Sequence, residues 1–214
     1  MELLDKIPSI ILITAGPSSG KTNLVKYILC DLFTKKKLSY GLVFCPTSFN
    51  EAYNFLPSKY IYSQYDEDAI INLINIQIKQ IKENGRAKPC FIVFDDVIGS
   101  IDFNSPFFSK LVSTFRHYNI TLIFCVQYLY KVSPVLRECV SYFITFYQPT
   151  KRSIEAIYET YMNEFETYNE CKNFIQSKTQ DYKFILVNCN ARLHEKYIIS
   201  KAPLMDDKKI KITY

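Results

Sequence analysis

Residues 15–22 read Ala15-Gly16-Pro17-Ser18-Ser19-Gly20-Lys21-Thr22, with Asn23 next. This run has the means to hold phosphate. Successive backbone N–H groups at a strand-to-helix turn face an anion, and the helix N-terminus adds positive potential. Gly20 permits a backbone conformation that a Cβ disfavours. Lys21 has the length to reach β- and γ-phosphates, and the Thr22 hydroxyl suits Mg²⁺. Gly16, Pro17, Ser18, Ser19, Gly20, Lys21, Thr22 and Asn23 are therefore the candidate nucleotide-binding residues. The usual spacing starts on glycine, where this chain has Ala15. Alanine serves there if the position needs smallness and not a positive φ.

A second group of chemistry-bearing residues closes the apolar run Cys90–Val97, "CFIVFDDV". Adjacent carboxylates at the end of a buried strand are costly unless they hold a cation or polarise water. Asp95 is the candidate Mg²⁺ ligand beside Thr22. Strand neighbours alternate faces, so Asp96 points elsewhere and is the candidate base for the attacking water. A third run, Arg116–Gln127, is "RHYNITLIFCVQ". Gln127 ends an apolar strand, where a neutral amide is able to sense a γ-phosphate. Arg116 precedes the same strand and lies at its opposite end. It faces away from its own nucleotide and is able to serve a neighbour's, where an arginine stabilises transition-state charge in trans. Arg137, in "PVLREC", is the rival for that role. Lys21, Asp96, Gln127 and Arg116 form the candidate catalytic set, with Thr22 and Asp95 on the metal.

These residues need a scaffold. Short apolar runs at Ser9–Ala15, Tyr40–Cys45, Lys59–Ser63, Cys90–Val97, Ile120–Gln127 and Tyr142–Tyr147 read as strands. Helical periodicity falls on Gly20–Thr34, on Glu67–Glu83 with Ile70, Ile71, Ile74, Ile78 and Ile81, and on Ser105–His117 with a Ser-Pro start. Near-continuous apolar strands alternating with helices predict an α/β fold, a mostly parallel central sheet flanked by helices. Residues 1–150 make the core. Residues 151–214 make a small extension, with helices at Arg152–Asn163 and Glu164–Ser177 and a β-hairpin from Tyr182–Cys189 and Lys196–Ser200. The interval from Lys21 to Asp95 holds a further strand-helix unit and a short strand, leaving room for a strand between the two motif strands. That predicts an additional-strand P-loop ATPase, and no guanine-recognition signature Asn-Lys-x-Asp occurs, so ATP is the expected nucleotide.

Composition narrows the classes. The 214 residues are 48% hydrophobic with a formal charge of +5, which fits a globular domain and permits a polyanionic partner. No run reaches the roughly 20 apolar residues of a membrane span. Met1–Lys6, with Glu2 and Asp5, does not read as a secretory leader. The seven cysteines are scattered singly and read as free thiols of a reducing compartment.

Taken together, "AGPSSGKTN", "FIVFDDV", "FRHYNITLIFCVQY" and "SPVLRECVSYFITFYQP" resemble the genome-packaging ATPases of poxviruses, other nucleocytoplasmic large DNA viruses and virophage-like elements, within the FtsK–HerA superfamily. The resemblance covers about Pro8 to Pro149. It implies an ATP- and Mg²⁺-dependent motor that moves double-stranded DNA into a preformed capsid without reading sequence. It also implies a homo-oligomeric ring, usually a hexamer, with ATP at subunit interfaces and Arg116 acting across them. A capsid vertex protein is the implied docking partner, and host cytoplasm, viral factory or virion the implied place. Lys131, Lys151 and Arg152 are candidate DNA contacts. Two other classes remain: a P-loop small-molecule kinase, and a nucleotide-switched virion assembly protein with weak turnover.

Overall fold

A computed structural model describes residue 4, residues 6–47, 52–205 and 212. Glu2 and Asp5 lie outside the described residues. The described residues form eight strands: β1 (Ile10–Thr14), β2 (Tyr40–Phe44), β3 (Ile61–Tyr62), β4 (Cys90–Asp95), β5 (Ile120–Val126), β6 (Tyr142–Thr145), β7 (Lys183–Asn188) and β8 (Tyr197–Lys201). The helices are α1 (Lys21–Thr34), α2 (Glu67–Asn84), α3 (Pro106–Thr114), α4 (Pro134–Cys139), α5 (Lys151–Tyr161) and α6 (Tyr168–Lys178). All strands join one sheet in the order β3-β2-β4-β5-β1-β6-β7-β8. The first six are parallel, while β7 and β8 add antiparallel. The C-terminal hairpin thus extends the same sheet.

A strand does separate the two motif strands, as expected, but it is not one encoded between them. β5 lies between β1 and β4. The segments encoded between Lys21 and Asp95 supply β2 and β3, which sit outside β4 at the edge. The short helix α4 was not among the sequence-read elements. Ser133 caps it and Pro134 starts it, a six-residue turn too short to show a period.

Alternation along the strands splits the core in two. Ile10 and Leu12 face a cluster that gathers Ile70 and Leu73 of α2, Phe108 and Leu111 of α3, Leu136 of α4, Ile157 of α5 and Ile175 of α6. Ile11 and Ile13 face the other side, where α1 packs with Leu24, Ile28 and Leu32 beside Tyr53, Phe55 and Leu56. Five α-helices cover one face, and α1 with the 52–56 segment helps cover the other. The buried face of α2 is Ile70, Leu73 and Gln77. Ile71 is 36% exposed, so the isoleucine periodicity overstated the buried stripe. Gln77 is tolerated there because its Nε2 donates to the carbonyls of Lys88 and Tyr118, at 2.9 and 2.6 Å, and its Oε1 accepts from the Tyr40 hydroxyl.

Candidate nucleotide site

β1 runs straight into the loop, and Ala15 N–H donates to the Val126 carbonyl at 3.1 Å. This bond ties the loop to the C-terminal end of β5. Ala15 is fully buried in the α1-side core. Its φ is not positive; the positive values in the loop belong to Ser18 (55°) and Gly20 (99°). Ala15 therefore costs the loop no strain, and Gly20 carries the left-handed turn into α1. Ser19 Oγ donates to the Gly16 carbonyl at 2.6 Å and closes the loop on itself.

The start of α1 differs from every other α-helix among the described residues. α2 to α6 are each capped by a side chain: Asp66, Ser105, Ser133, Thr150 and Thr167. α1 begins on Gly20 with no side-chain cap and no acidic residue in its first turn. Its orphan N–H groups remain open to an anion. Lys21 is only 7% exposed. Its Nζ donates to the carbonyls of Ala15 (3.0 Å) and Gly16 (3.2 Å), so the ammonium is folded over the loop that a phosphate would occupy.

Asn23 is placed differently from the sequence reading. Its Nδ2 donates to the Pro203 carbonyl at 2.9 Å, and its Oδ1 accepts from Met205 N–H at 3.0 Å. Both ends of the amide hold the segment after β8, so the side chain is committed there.

Asp95 ends β4 at 4% exposure. Its Oδ2 accepts from the Thr22 hydroxyl at 3.4 Å, which brings the two candidate metal ligands together from positions 73 residues apart. The same oxygen accepts from the Tyr53 hydroxyl at 2.8 Å, and Cys45 Sγ lies 4.0 Å away. Burial raises the Asp95 pKa; the Tyr53 bond and nearby Lys21 oppose that, while Asp96 adds to it. Burial and the charge of Asp95 push the Tyr53 phenol well above its ordinary value, so Tyr53 stays protonated and donates. Tyr53 was missed because a tyrosine in a loop carries no motif.

Asp96 is exposed and takes φ 56°. It leaves the strand through a left-handed turn, and that turn separates it from Asp95, not the pleat. A non-glycine residue held in this conformation is a recurrent feature of functional sites. Gln127 follows β5 at half burial, beside the strand end that receives Ala15. β4, β5 and β1 therefore deliver Asp95, Asp96, Gln127 and the loop to one end of the sheet, outside the carboxyl ends of the strands.

Arg116 lies in the turn Phe115–Tyr118 before β5, exposed, with its guanidinium 5.1 Å from the Phe115 ring centroid. The seven residues of β5 put it about 23 Å from Gln127 at roughly 3.3 Å per residue. Arg137 is half-buried between α4 and α5. Its Nη1 donates to Thr160 Oγ1 at 3.4 Å, its Nε is buried without a partner among the described residues, and its carbonyl accepts from the Tyr161 hydroxyl. Arg116 is thus the exposed arginine of the two. Beyond Gln127, Arg152 sits 4.0 Å over Tyr130 and Lys131 sits 5.3 Å from the Tyr128 ring, a basic and aromatic cluster. Lys151 pairs with Glu155 at 3.4 Å. No helix among the described residues is long and apolar enough to cross a membrane.

Comparison with known proteins places this arrangement in context. A family model described as "Poxvirus A32 protein" matches residues 2–211. An uncharacterized protein, 088R of Invertebrate iridescent virus 3, is 21% identical over 179 residues, covering 83% of this chain and 68% of that protein. Among solved structures, the genome packaging NTPase B204 of Sulfolobus turreted icosahedral virus 2, in complex with ATP-gammaS, superposes with TM-score 0.68 at 17% identity, over 94% of this chain and 100% of B204. The pCW3 conjugation coupling protein TcpA, with ATPgS, matches with TM-score 0.63 at 16% identity, over 94% of this chain and 62% of that one. The fold is that of P-loop ATPases.

Proposed function

We propose, for a chain that belongs to the poxvirus A32 protein family, an ATPase that uses ATP and Mg²⁺ to drive double-stranded DNA into a viral capsid. The carrying observation is the uncapped start of α1 with Lys21 folded over its loop, set beside a Thr22–Asp95 contact of 3.4 Å. The donor set suits Mg²⁺: a hydroxyl and a buried carboxylate are hard oxygens. Thr22 and Asp95 would hold the ion, which when bound neutralises charge on the transferred phosphoryl group.

The chain's own residues account for the rest. Gly16 to Thr22 bind phosphate through backbone N–H groups. Lys21 exchanges its two carbonyl partners for phosphate oxygens. Asp96, exposed at the strand end, orients or deprotonates water. Gln127 reads the γ-phosphate and passes its state to the Tyr128–Lys131 turn, where Tyr130 and Arg152 offer a ring and a cation to a DNA backbone. Arg116 acts on the nucleotide of a neighbouring subunit, so the active form is a ring, a hexamer on the family's pattern. It works at a capsid vertex in the host cytoplasm, viral factory or virion.

The decisive measurement is ATP hydrolysis by the purified chain with and without linear duplex DNA, beside Lys21→Ala. DNA should accelerate turnover in a salt-dependent way, and Lys21→Ala should reduce it to background. Full turnover in Lys21→Ala, or an ATPase indifferent to DNA at every salt concentration, would overturn the reading.

A further inference from the structure

A cleft of about 560 Å³ opens at the end of the sheet opposite the phosphate loop, and its lining includes Lys6, Ser9, Arg116, Arg192, His194 and Glu195. Topology explains the meeting. Ser9 precedes β1, Arg116 precedes β5, and Arg192 lies in the β7–β8 turn. Because β7 runs antiparallel to β6, its far end returns to where the parallel strands begin. The turn is built to stay there: Cys189 N–H donates to the Ser141 carbonyl at 3.0 Å, Asn190 N–H to Asn188 Oδ1 at 3.2 Å, and Glu195 N–H to the Arg192 carbonyl at 2.9 Å. Lys6 is anchored by its backbone N–H on the Tyr142 hydroxyl at 3.0 Å.

The chemistry of the cleft is one-sided. Three fixed cations, Lys6, Arg116 and Arg192, share it with one carboxylate, Glu195, which lies 3.4 Å from His194. Ser9 Oγ, in a residue 1% exposed, has no hydrogen-bond partner among the described residues. A buried hydroxyl left unpaired costs free energy that an incoming acceptor relieves. The cleft has the volume of a small-molecule site, whereas a duplex backbone is gripped along a surface. Its distance from the chain's own loop, about a strand length, means that any phosphate it binds is carried by another molecule.

We propose that Arg192, supplied by the C-terminal hairpin, is a second arginine acting with Arg116 on the terminal phosphates of ATP held by a neighbouring copy of this chain. Lys6 adds a third charge to the same receiving half-site. This rests on the reading of Arg116 as a trans arginine and adds to it a role for the hairpin.

Subunit mixing tests it, using full-length chains and ATP hydrolysis. Arg192→Ala alone should lower turnover about ten- to a hundredfold, the range for losing a hydrogen bond to a charged group, with little change in nucleotide affinity. Mixed in equal amounts with Lys21→Ala, it should recover to about a quarter of wild-type turnover, because half of the loops meet half of the intact clusters at a head-to-tail interface. The double variant carrying both changes in one chain should rescue neither single variant. Sedimentation of each variant shows whether the oligomer persists, and Arg192→Lys should restore part of the rate. Rescue by Arg116→Ala but not by Arg192→Ala, or loss of duplex DNA affinity in Arg192→Ala with ATP turnover intact, would overturn the role of Arg192 alone. Failure of both arginine variants to complement Lys21→Ala would remove the trans reading itself.

Discussion

Tyr53→Phe removes one oxygen and nothing else from the buried site around Asp95. In the wild type, Asp95 Oδ2 receives Tyr53 at 2.8 Å, Thr22 at 3.4 Å and the Cys45 thiol at 4.0 Å. The Tyr53 bond alone lies at normal length for a hydroxyl donor. A hydrogen bond to a charged group contributes about 1.5–3 kcal/mol. Each kcal/mol moves the melting temperature of a domain this size by about 2–4 °C, so a drop of about 3–12 °C is expected. The ring stays, so no cavity forms. The carboxylate keeps only the long contacts from Thr22 and the Cys45 thiol and turns more freely, which should weaken Mg²⁺-dependent nucleotide binding several-fold while metal-free binding in EDTA changes little. Thermal unfolding and nucleotide titrations at graded Mg²⁺ read both effects. A melting temperature and Mg²⁺ half-saturation equal to wild type would refute the assignment of Tyr53 as the group that positions Asp95.

Two further outcomes follow from packing and charge. A Cβ at Gly41 would lie 2.3 Å from the Phe91 carbonyl oxygen of the paired strand, so Gly41→Ala should cost at least about 1–3 kcal/mol, seen as a lower denaturant midpoint at unchanged slope. Burial raises the Glu164 carboxyl, but the bonds from Lys196 and Tyr197 outweigh it and the net pKa is lowered. A depressed folded pKa stabilises fully above the unfolded value of about 4.3 and is lost as pH falls through the folded value. Glu164→Gln should therefore lower stability at pH 7 by about 1 kcal/mol and flatten the acid arm below pH 4.5. An acid arm identical to wild type would exclude this linkage.

What the sequence determined by itself was whatever is written in local order. The phosphate loop is eight consecutive residues, and Asp95, Gln127 and Arg116 each sit at or just beyond the end of an apolar run, so type and neighbourhood suffice to mark them as candidates. The strands are legible because burial on both faces leaves them almost without polar residues. The tertiary structure decided what depends on residues far apart in the chain. It placed β5 between the motif strands, made Gln77 acceptable inside an isoleucine-rich helix, and brought Tyr53 onto Asp95 across 42 positions. It turned Asn23 onto residues 203 and 205, about 180 positions away. It also carried Arg192 back to Arg116 by running β7 against its neighbour. Contacts of that kind are paid for by packing the whole sheet, and no short stretch of sequence records them.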